Sequence, residues 1–195
     1  MAGTSVEMAW DDVGVTRIVA GRAGGRRLAV PQKGTRPTSD RVREALFSAV
    51  QSAVDLDGAR VLDLYAGSGA LGLEALSRGA AQAVFVESAA GALAVLRKNV
   101  AAVGLPGVVR AGKVATVLAA GTDAPFDLVL ADPPYAVEDL RAELGLLVSR
   151  GWVEQDSVVV VERSRRAPGI EWPEPLSAVR VKHYGETSLH WARWP

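Results

Sequence analysis

The stretch VLDLYAGSGALGLEAL, residues 61–76, connects an apolar run to a helical pattern through a turn rich in glycine. The apolar run at 61–65 predicts a buried strand, and the pattern at 70–78 predicts a helix. Between them, Gly67, Gly69 and Gly72 satisfy the spacing G-x-G-x-x-G, which lets a backbone turn sharply and approach a ligand. The stretch therefore predicts the first strand–loop–helix unit of an α/β fold, with a ligand site at the loop.

Downstream of this unit, apolar runs alternate with helical patterns. The predicted strands lie at 83–87, 108–111, 126–131 and 157–162, and the predicted helices at 89–103, 114–120 and 137–149. Continuous apolar strands separated by helices are typical of a parallel sheet that is covered on both faces. Two β-type runs around Gly185 and Glu186 predict an antiparallel hairpin at the edge of this sheet.

The N-terminal part of the chain has a different pattern. Residues 1–14 form an acidic leader that we expect to be disordered. The sequence VTRIVAGRAGGRRLAVP then predicts a β-hairpin with a basic tip, within an extension that covers residues 15–37. A helix follows, with cap candidates at Thr38, Ser39 and Asp40, and the main domain spans 38–195. We expect the hairpin to pack on that helix or on an RNA.

Composition excludes several classes of site. The chain has 195 residues, no cysteine and two histidines, so disulfides and thiolate zinc sites are excluded and no metal site is predicted. The start of the chain lacks a signal-peptide pattern and no apolar run could span a bilayer, so we expect a soluble, cytoplasmic protein. The formal net charge is zero, but residues 15–45 carry eight basic and two acidic residues, a net charge of +6. This segment favours a nucleic-acid partner.

Two acidic residues near the glycine turn distinguish between two ligands. Asp63 lies four residues before Gly67, and Glu87 lies twenty residues after it. Glu87 fits the acid that binds a ribose hydroxyl in a dinucleotide site, but a carboxylate at Asp63 would repel a pyrophosphate. A ligand with an amino-acid end and a ribose but no phosphate fits better, and S-adenosylmethionine is such a ligand. The alternative is that Asp63 only caps the loop and Glu87 is a surface acid.

A second stretch, VLADPPYAVEDL at residues 129–140, ends a predicted strand with two prolines, which leave the chain few conformations. The carboxyl ends of strands in an open α/β sheet meet at the ligand site, so Asp132 should lie near Asp63. Asp132 and a backbone carbonyl could accept hydrogen bonds from the exocyclic amine of a nucleobase, and Tyr135 could stack on a flipped base. The alternative is a stiff turn in which Asp132 caps the next helix.

The stretches RIVAGRAGGRRLAVP, RPTSDRVREALF and LDLYAGSGALGLEALSRGA, together with DPPY, resemble the RsmD-type bacterial 16S rRNA guanine-N2 methyltransferases from about Arg17 to Trp194. The resemblance implies a Rossmann-like class I methyltransferase fold, with a mostly parallel seven-stranded sheet, a C-terminal antiparallel hairpin and a small N-terminal β-hairpin extension. It implies S-adenosylmethionine as the cofactor. The implied target is N2 of one guanine in 16S rRNA, either free or in an assembled or partly assembled small ribosomal subunit.

The resemblance also implies roles for single residues. The groups that hold the base amine would be Asp132, Pro133, Pro134 and Tyr135. The cofactor would contact Asp63, Tyr65, Gly67, Ser68, Gly69, Glu87, Ser88, Lys113 and Val114. Lys113 departs from many methyltransferases, which place Asp or Asn near the adenine ring, so a backbone N–H of Lys113 or Val114 is expected to serve there. From the charge pattern, RNA phosphates would contact Arg17, Arg22, Arg26, Arg27, Arg36 and Arg41.

Other functions share parts of this pattern. An adenine-N6 methyltransferase that acts on DNA or RNA would use the same DPPY chemistry. A nicotinamide-dependent oxidoreductase matches the literal glycine spacing but lacks a recognisable acid–base pair, and a non-catalytic RNA-binding module needs only the basic segment. A second basic cluster is equally compatible with RNA contact and with plain surface: Arg163, Arg165 and Arg166. We expect His183 and His190 to be structural or surface residues.

Overall fold

The computed structural model describes residues 15–31, 40–134, 137 and 139–195, so the acidic leader lies outside the described residues. The described residues form β1 (Val15–Arg17), β2 (Arg27–Ala29), α1 (Asp40–Gln51), β3 (Arg60–Leu64), α2 (Ala70–Ser77), β4 (Gln82–Glu87), α3 (Ala90–Val103), β5 (Gly107–Ala111), α4 (Val114–Ala119), β6 (Leu128–Ala131), α5 (Arg141–Ser149), β7 (Val158–Ser164), β8 (Ser177–Tyr184) and β9 (Thr187–Arg193). None of the helices in this part of the chain is long and apolar enough to cross a membrane.

Seven of the described strands form one sheet, in the order β5-β4-β3-β6-β7-β9-β8. The pairs among β5, β4, β3, β6 and β7 are parallel, and the two pairs made by β9 are antiparallel. This confirms the predicted mostly parallel seven-stranded sheet with a C-terminal antiparallel hairpin. The chain runs from β3 out to β5 and returns to β6 beside β3. Such a reversal of strand order opens a ligand crevice at the carboxyl ends of the two central strands.

Alternating side chains divide the core into two layers, one on each face of the sheet. Val61 of β3 belongs to the layer that packs under α1, α2 and α3, whereas Leu62 belongs to the layer that packs under α4 and α5. Because successive side chains of a strand point to opposite faces, Asp63 lies on the same face as Val61. The carboxylate of Asp63 is therefore directed toward the side of the sheet where α2 begins.

β1 and β2 form a two-stranded antiparallel sheet, and the N-terminal hairpin, residues 15–31, packs on α2 as well as on α1. The buried carboxylate of Glu74 accepts hydrogen bonds from the N–H groups of Val19 at 2.6 Å and Ala20 at 3.0 Å. Ser77 Oγ accepts the N–H of Ala23 at 2.9 Å. The hairpin thus shares a core with the rest of the chain. The division of the chain into an extension at 15–37 and a main domain at 38–195 stays a prediction.

Three element boundaries differ by two residues or more from those expected from periodicity. The strand expected at 126–131 begins at Leu128, because the N–H of Phe126 donates to Trp152 O at 2.9 Å instead of to a strand. The helix expected at 137–149 begins at Arg141, whose N–H donates to Asp139 Oδ1 at 2.9 Å. The strand expected at 157–162 continues to Ser164, because it keeps pairing with β9.

Candidate active site

The glycine loop, residues 65–69, connects β3 to α2 and passes close to neighbouring side chains. Gly69 has a φ of 81°, and a Cβ added there would lie 2.6 Å from Leu96 Cδ1. A Cβ added at Gly72, in the first turn of α2, would lie 2.4 Å from Phe85 Cε1. The glycines therefore allow the loop to lie against α3 and the helix to lie against β4, which is the close packing that the G-x-G-x-x-G spacing predicts.

Asp63 lies under the start of α2 and is almost completely buried. Its Oδ2 accepts the N–H of Gly72 at 2.9 Å, so the carboxylate fixes the first turn of the helix. Burial raises the pKa of Asp63 from 3.8 to about 8, and the negative charge of Glu87 adds to this effect, although the bond from Gly72 opposes it. The side chain thus both orders the loop and places a titratable group in the wall of the site.

Glu87 ends β4 and binds three backbone N–H groups. Its Oε2 accepts from Gly67 at 2.9 Å, and its Oε1 accepts from Ser88 at 2.7 Å and Ala89 at 2.8 Å. These bonds connect the end of β4 to the glycine loop. A carboxylate offers about four acceptor positions, so one remains for a ligand hydroxyl.

Asp132 follows β6 and lies on the same face of the sheet as Asp63. The alternation of side chains along β6 and β7 also puts Glu162 on this face, beside Asp132. Burial raises the pKa of Asp132 well above its usual value, and the charges of Glu162 and Asp63 raise it further. The structure therefore concentrates carboxyl groups at the carboxyl ends of β3, β6 and β7, where hydrogen-bond donors and cations are favourable ligands.

A cavity of about 510 Å³ lies at these strand ends, within the usual size range of small-molecule sites. The predicted cofactor and base residues that line it are Asp63, Tyr65, Gly67, Ser68, Glu87, Ser88, Lys113, Val114, Asp132 and Pro134. Gly69 packs instead against Leu96 and Phe85, and Pro133 is buried. Tyr135 lies outside the described residues, so its stacking role stays a prediction.

Tyr65 and Glu143 form one wall of the cavity. The Tyr65 hydroxyl donates to Glu143 Oε1 at 3.5 Å, and the residue has a φ of 58°, which is unusual for a residue with a Cβ. Burial raises the pKa of Tyr65, and the charge of Glu143 raises it further. Glu143 was not predicted from the sequence, because it lies 78 residues after Tyr65 on a helix whose polar residues show no motif.

Arg43 is the other charged lining residue that the site predictions omitted, and its side chain is completely buried. Its Nη2 donates to Thr16 Oγ1 at 3.2 Å, to Asp40 Oδ1 at 2.8 Å and to the carbonyl of Arg17, and its Nε lies 3.8 Å from Glu74 Oε2. The helical spacing of Arg43 with the buried Leu46, Phe47 and Val50 is the signal that could have placed it on the inner face of α1.

The predicted RNA-binding arginines occupy different environments. Arg22 donates to the carbonyls of Leu76 and Ala80 at 3.2 and 3.4 Å, and Arg26 donates to the carbonyl of Val103 at 2.8 Å, so both bind helix ends. Arg17 is exposed and donates to Asp40 at 2.9 Å. Arg27 and Arg41 are exposed, and Arg36 lies outside the described residues.

The residues near β7 and β9 have structural partners. In the second basic cluster, Arg163 is buried and donates to the carbonyl of Val137 at 3.4 Å, whereas Arg165 and Arg166 are exposed. His183 Nδ1 lies 2.7 Å from Ser188 Oγ, and burial lowers the pKa of His190. In the parts of the chain that the structure describes, no group of three or more His, Asp or Glu side chains could hold a metal ion.

Comparison with known proteins finds relatives over most of the chain. The family described as conserved hypothetical protein 95 matches residues 16–193. The chain is 41% identical over 152 residues to the ribosomal RNA small subunit methyltransferase D of Escherichia coli (strain K12), which covers 76% of this chain and 75% of that protein. It is 32% identical over 180 residues to the protein of the same name from Haemophilus influenzae, which covers 90% and 92%.

A solved structure shares both the fold and much of the sequence. A hypothetical protein of Thermus thermophilus superposes with a TM-score of 0.78 at 36% identity, over 92% of this chain and 99% of that chain. The family match at residues 16–193 spans the hairpin, the glycine loop and the DPPY stretch together. The chain therefore belongs to the family described as conserved hypothetical protein 95 and is an RsmD-type methyltransferase.

Proposed function

We propose that the chain transfers a methyl group from S-adenosylmethionine to the exocyclic N2 of a guanine in 16S rRNA. The observation that carries this proposal is the meeting of the glycine loop, Asp63 and Asp132 in one cavity of about 510 Å³. The names of the Escherichia coli and Haemophilus influenzae relatives support small-subunit rRNA as the substrate. The guanine-N2 target is part of the proposal, with the RNA either free or in an assembled or partly assembled small subunit.

The residues of the cavity fit S-adenosylmethionine, which supplies an electrophilic methyl group on a sulfonium when it is bound. Asp63 would face the ammonium group of this ligand, whose positive charge favours the ionised form of a carboxyl that is largely protonated at neutral pH in the cofactor-free protein. Glu87 keeps one acceptor position for a ribose hydroxyl beyond its three backbone bonds. The backbone at Lys113 and Val114, at the start of α4, lines the cavity and would border the adenine ring.

Asp132 is the group that we assign to the reacting amine. The lone pair of an exocyclic amine is conjugated with the ring, so the nitrogen needs acceptors that hold its hydrogens and direct it toward the methyl carbon. Asp132 accepts one such hydrogen bond, and a backbone carbonyl of the DPPY stretch accepts a second. The N–C bond forms as the C–S bond breaks, and the proton leaves the nitrogen on the side of Asp132. Tyr135 is proposed to stack on the flipped base.

The exposed basic residues near the cavity supply the proposed RNA surface. Arg27 and Arg41 are exposed on the hairpin and on α1, the two elements that also carry the cavity residues Val30 and Arg43. Positive side chains bind phosphates without reading bases, so these two would position the RNA while the cavity selects the amine. Arg22 and Arg26 contribute charge in addition to their bonds to helix ends.

Mass spectrometry of nucleosides tests the proposed function. The protein is incubated with S-adenosylmethionine labelled with a deuterated methyl group and, separately, with unmodified 16S rRNA and with small subunits that lack the modification. We expect labelled N2-methylguanosine in at least one of the two substrates. Labelled N6-methyladenosine would establish the adenine-N6 alternative instead. No labelled nucleoside in either substrate, from protein that is folded, would contradict the proposal.

A further inference from the structure

Asn99 of α3 is a buried polar residue that joins two walls of the cavity, and its side chain is 2% exposed. Its Oδ1 accepts the N–H of Ala29 at 3.0 Å, and its Nδ2 donates to the carbonyl of Ala29 at 2.9 Å. The same Nδ2 donates to the carbonyl of Ser68 at 2.8 Å. The amide of Asn99 therefore binds both the N–H and the carbonyl of Ala29 in β2, and it also binds the carbonyl of Ser68 in the glycine loop.

The two backbone segments that Asn99 joins both line the cavity. Ala29 is the last residue of β2, and the next two residues, Val30 and Pro31, are lining residues. Ser68 lies in the middle of the glycine loop and is a lining residue itself. The hairpin, whose basic side chains suggested only an RNA contact, is thus also part of the wall that surrounds the cofactor.

We propose that Asn99 is a positioning residue that holds the glycine loop against the N-terminal hairpin in the shape that binds the cofactor. This inference rests on the proposed function, because it takes S-adenosylmethionine as the ligand of the cavity. The partly buried Ser68 carbonyl, once it loses its donor, is expected to turn toward another partner, and the loop would change its conformation. Asn99 acts through Ser68 and touches no reacting atom.

The test compares two variants at Asn99 with a matched control at Ser77. Asn99→Asp keeps the shape and one acceptor but replaces the donor with an oxygen that faces the carbonyls of Ala29 and Ser68. Asn99→Ala removes all three bonds without adding a charge. Ser77→Ala removes two bonds between the hairpin and α2, one accepted from Ala23 N–H and one donated to the carbonyl of Ala20, but leaves the glycine loop untouched.

Calorimetry with S-adenosylhomocysteine gives the affinity, and methyl transfer to rRNA gives the kinetic constants. We expect both Asn99 variants to weaken binding by between about fivefold and a hundredfold, the range for a lost buried hydrogen bond. Their KM for S-adenosylmethionine should rise while kcat at saturation stays near the parental value. Ser77→Ala should lower thermal stability but keep the parental affinity.

The outcomes separate this inference from the proposed function. A parent protein that binds S-adenosylhomocysteine while folded Asn99→Ala protein binds it equally well would overturn the positioning role and leave the proposed function intact. A fall in affinity of the same size in Ser77→Ala would also overturn it, because general loosening of the hairpin would then explain the effect. If the parent does not bind this ligand, the proposed function fails first, and the inference fails with it.

Discussion

At the scale of single residues, burial decides the behaviour of the carboxylates. Asp63 has a pKa of about 8 in the folded protein, against 3.8 for the free side chain, because burial destabilises its charged form. At a pH between these two pKa values, Asp63 of the folded protein holds a proton that the same side chain has released in the unfolded chain. The free energy of unfolding that Asp63 contributes is therefore fully present below about pH 4 and is lost as the pH rises toward about 8.

This pH dependence predicts the effect of Asp63→Asn on the cofactor-free protein. The amide cannot ionise, and its oxygen can still accept the N–H of Gly72. Between pH 5 and pH 7 we expect the parent to lose about 1–3 kcal/mol more of its free energy of unfolding than the variant does. Urea unfolding at both pH values measures this, with Asp123→Asn at an exposed position as the control. Equal losses in parent and Asp63→Asn would refute the pKa shift.

At the scale of elements, the order of strands and helices could be predicted because apolar runs alternate with helical periodicity along most of the chain. The glycine spacing and the acids after the apolar runs also predicted that Asp63, Glu87 and Asp132 would meet beside the glycine loop. The boundaries at Leu128 and Arg141 could not be predicted. The first boundary depends on Trp152, which lies 26 residues away from Phe126 in the sequence. The second depends on the side chain of Asp139, which accepts the N–H of Arg141 in place of a backbone carbonyl.

Two glycines in helices give opposite predictions at this scale. Gly72→Ala would bring a Cβ within 2.4 Å of the Phe85 ring, so the first turn of α2 must move away from β4. We expect a loss of about 1–3 kcal/mol in the free energy of unfolding, together with weaker cofactor binding. Gly145→Ala in α5 places its Cβ in open space and should add up to about 1 kcal/mol. Thermal unfolding distinguishes them, and similar shifts in both variants would contradict the close packing of α2.

At the scale of the whole molecule, polar residues that are distant in sequence hold the hairpin on the main sheet. Glu74 binds Val19 across 55 residues, and Asn99 binds Ala29 across 70. The sequence showed the basic charge of this region but could not show which charges are buried, because burial depends on such distant partners. Arg43 illustrates this, since it belongs to the basic segment and yet lies in the wall of the cavity.

The distribution of exposed charge predicts how the whole molecule binds RNA. Reversing Arg27 and Arg41 to Glu should weaken binding to 16S rRNA and lower its salt dependence by about one unit of slope for each lost phosphate contact. Cofactor affinity should not change. Lys182→Glu, an exposed substitution on the edge strand β8, is the control for a charge change elsewhere. If all variants keep the parental salt slope, the RNA surface lies on another part of the chain.

The rate of methyl transfer by Asp132→Asn, measured in a single turnover with saturating cofactor and unmodified 16S rRNA, tests the role of the cavity most directly. The amide keeps the size of the side chain and one acceptor, but unlike Asp132 it cannot ionise beside the cationic cofactor to stabilise the positive charge that develops on the amine. We predict a rate lower by roughly a hundredfold or more, with nearly unchanged cofactor affinity. A residue that only caps a helix would tolerate this change, because Asn and Asp cap about equally well. Transfer at close to the parental rate would contradict the assignment of Asp132 to the reacting amine.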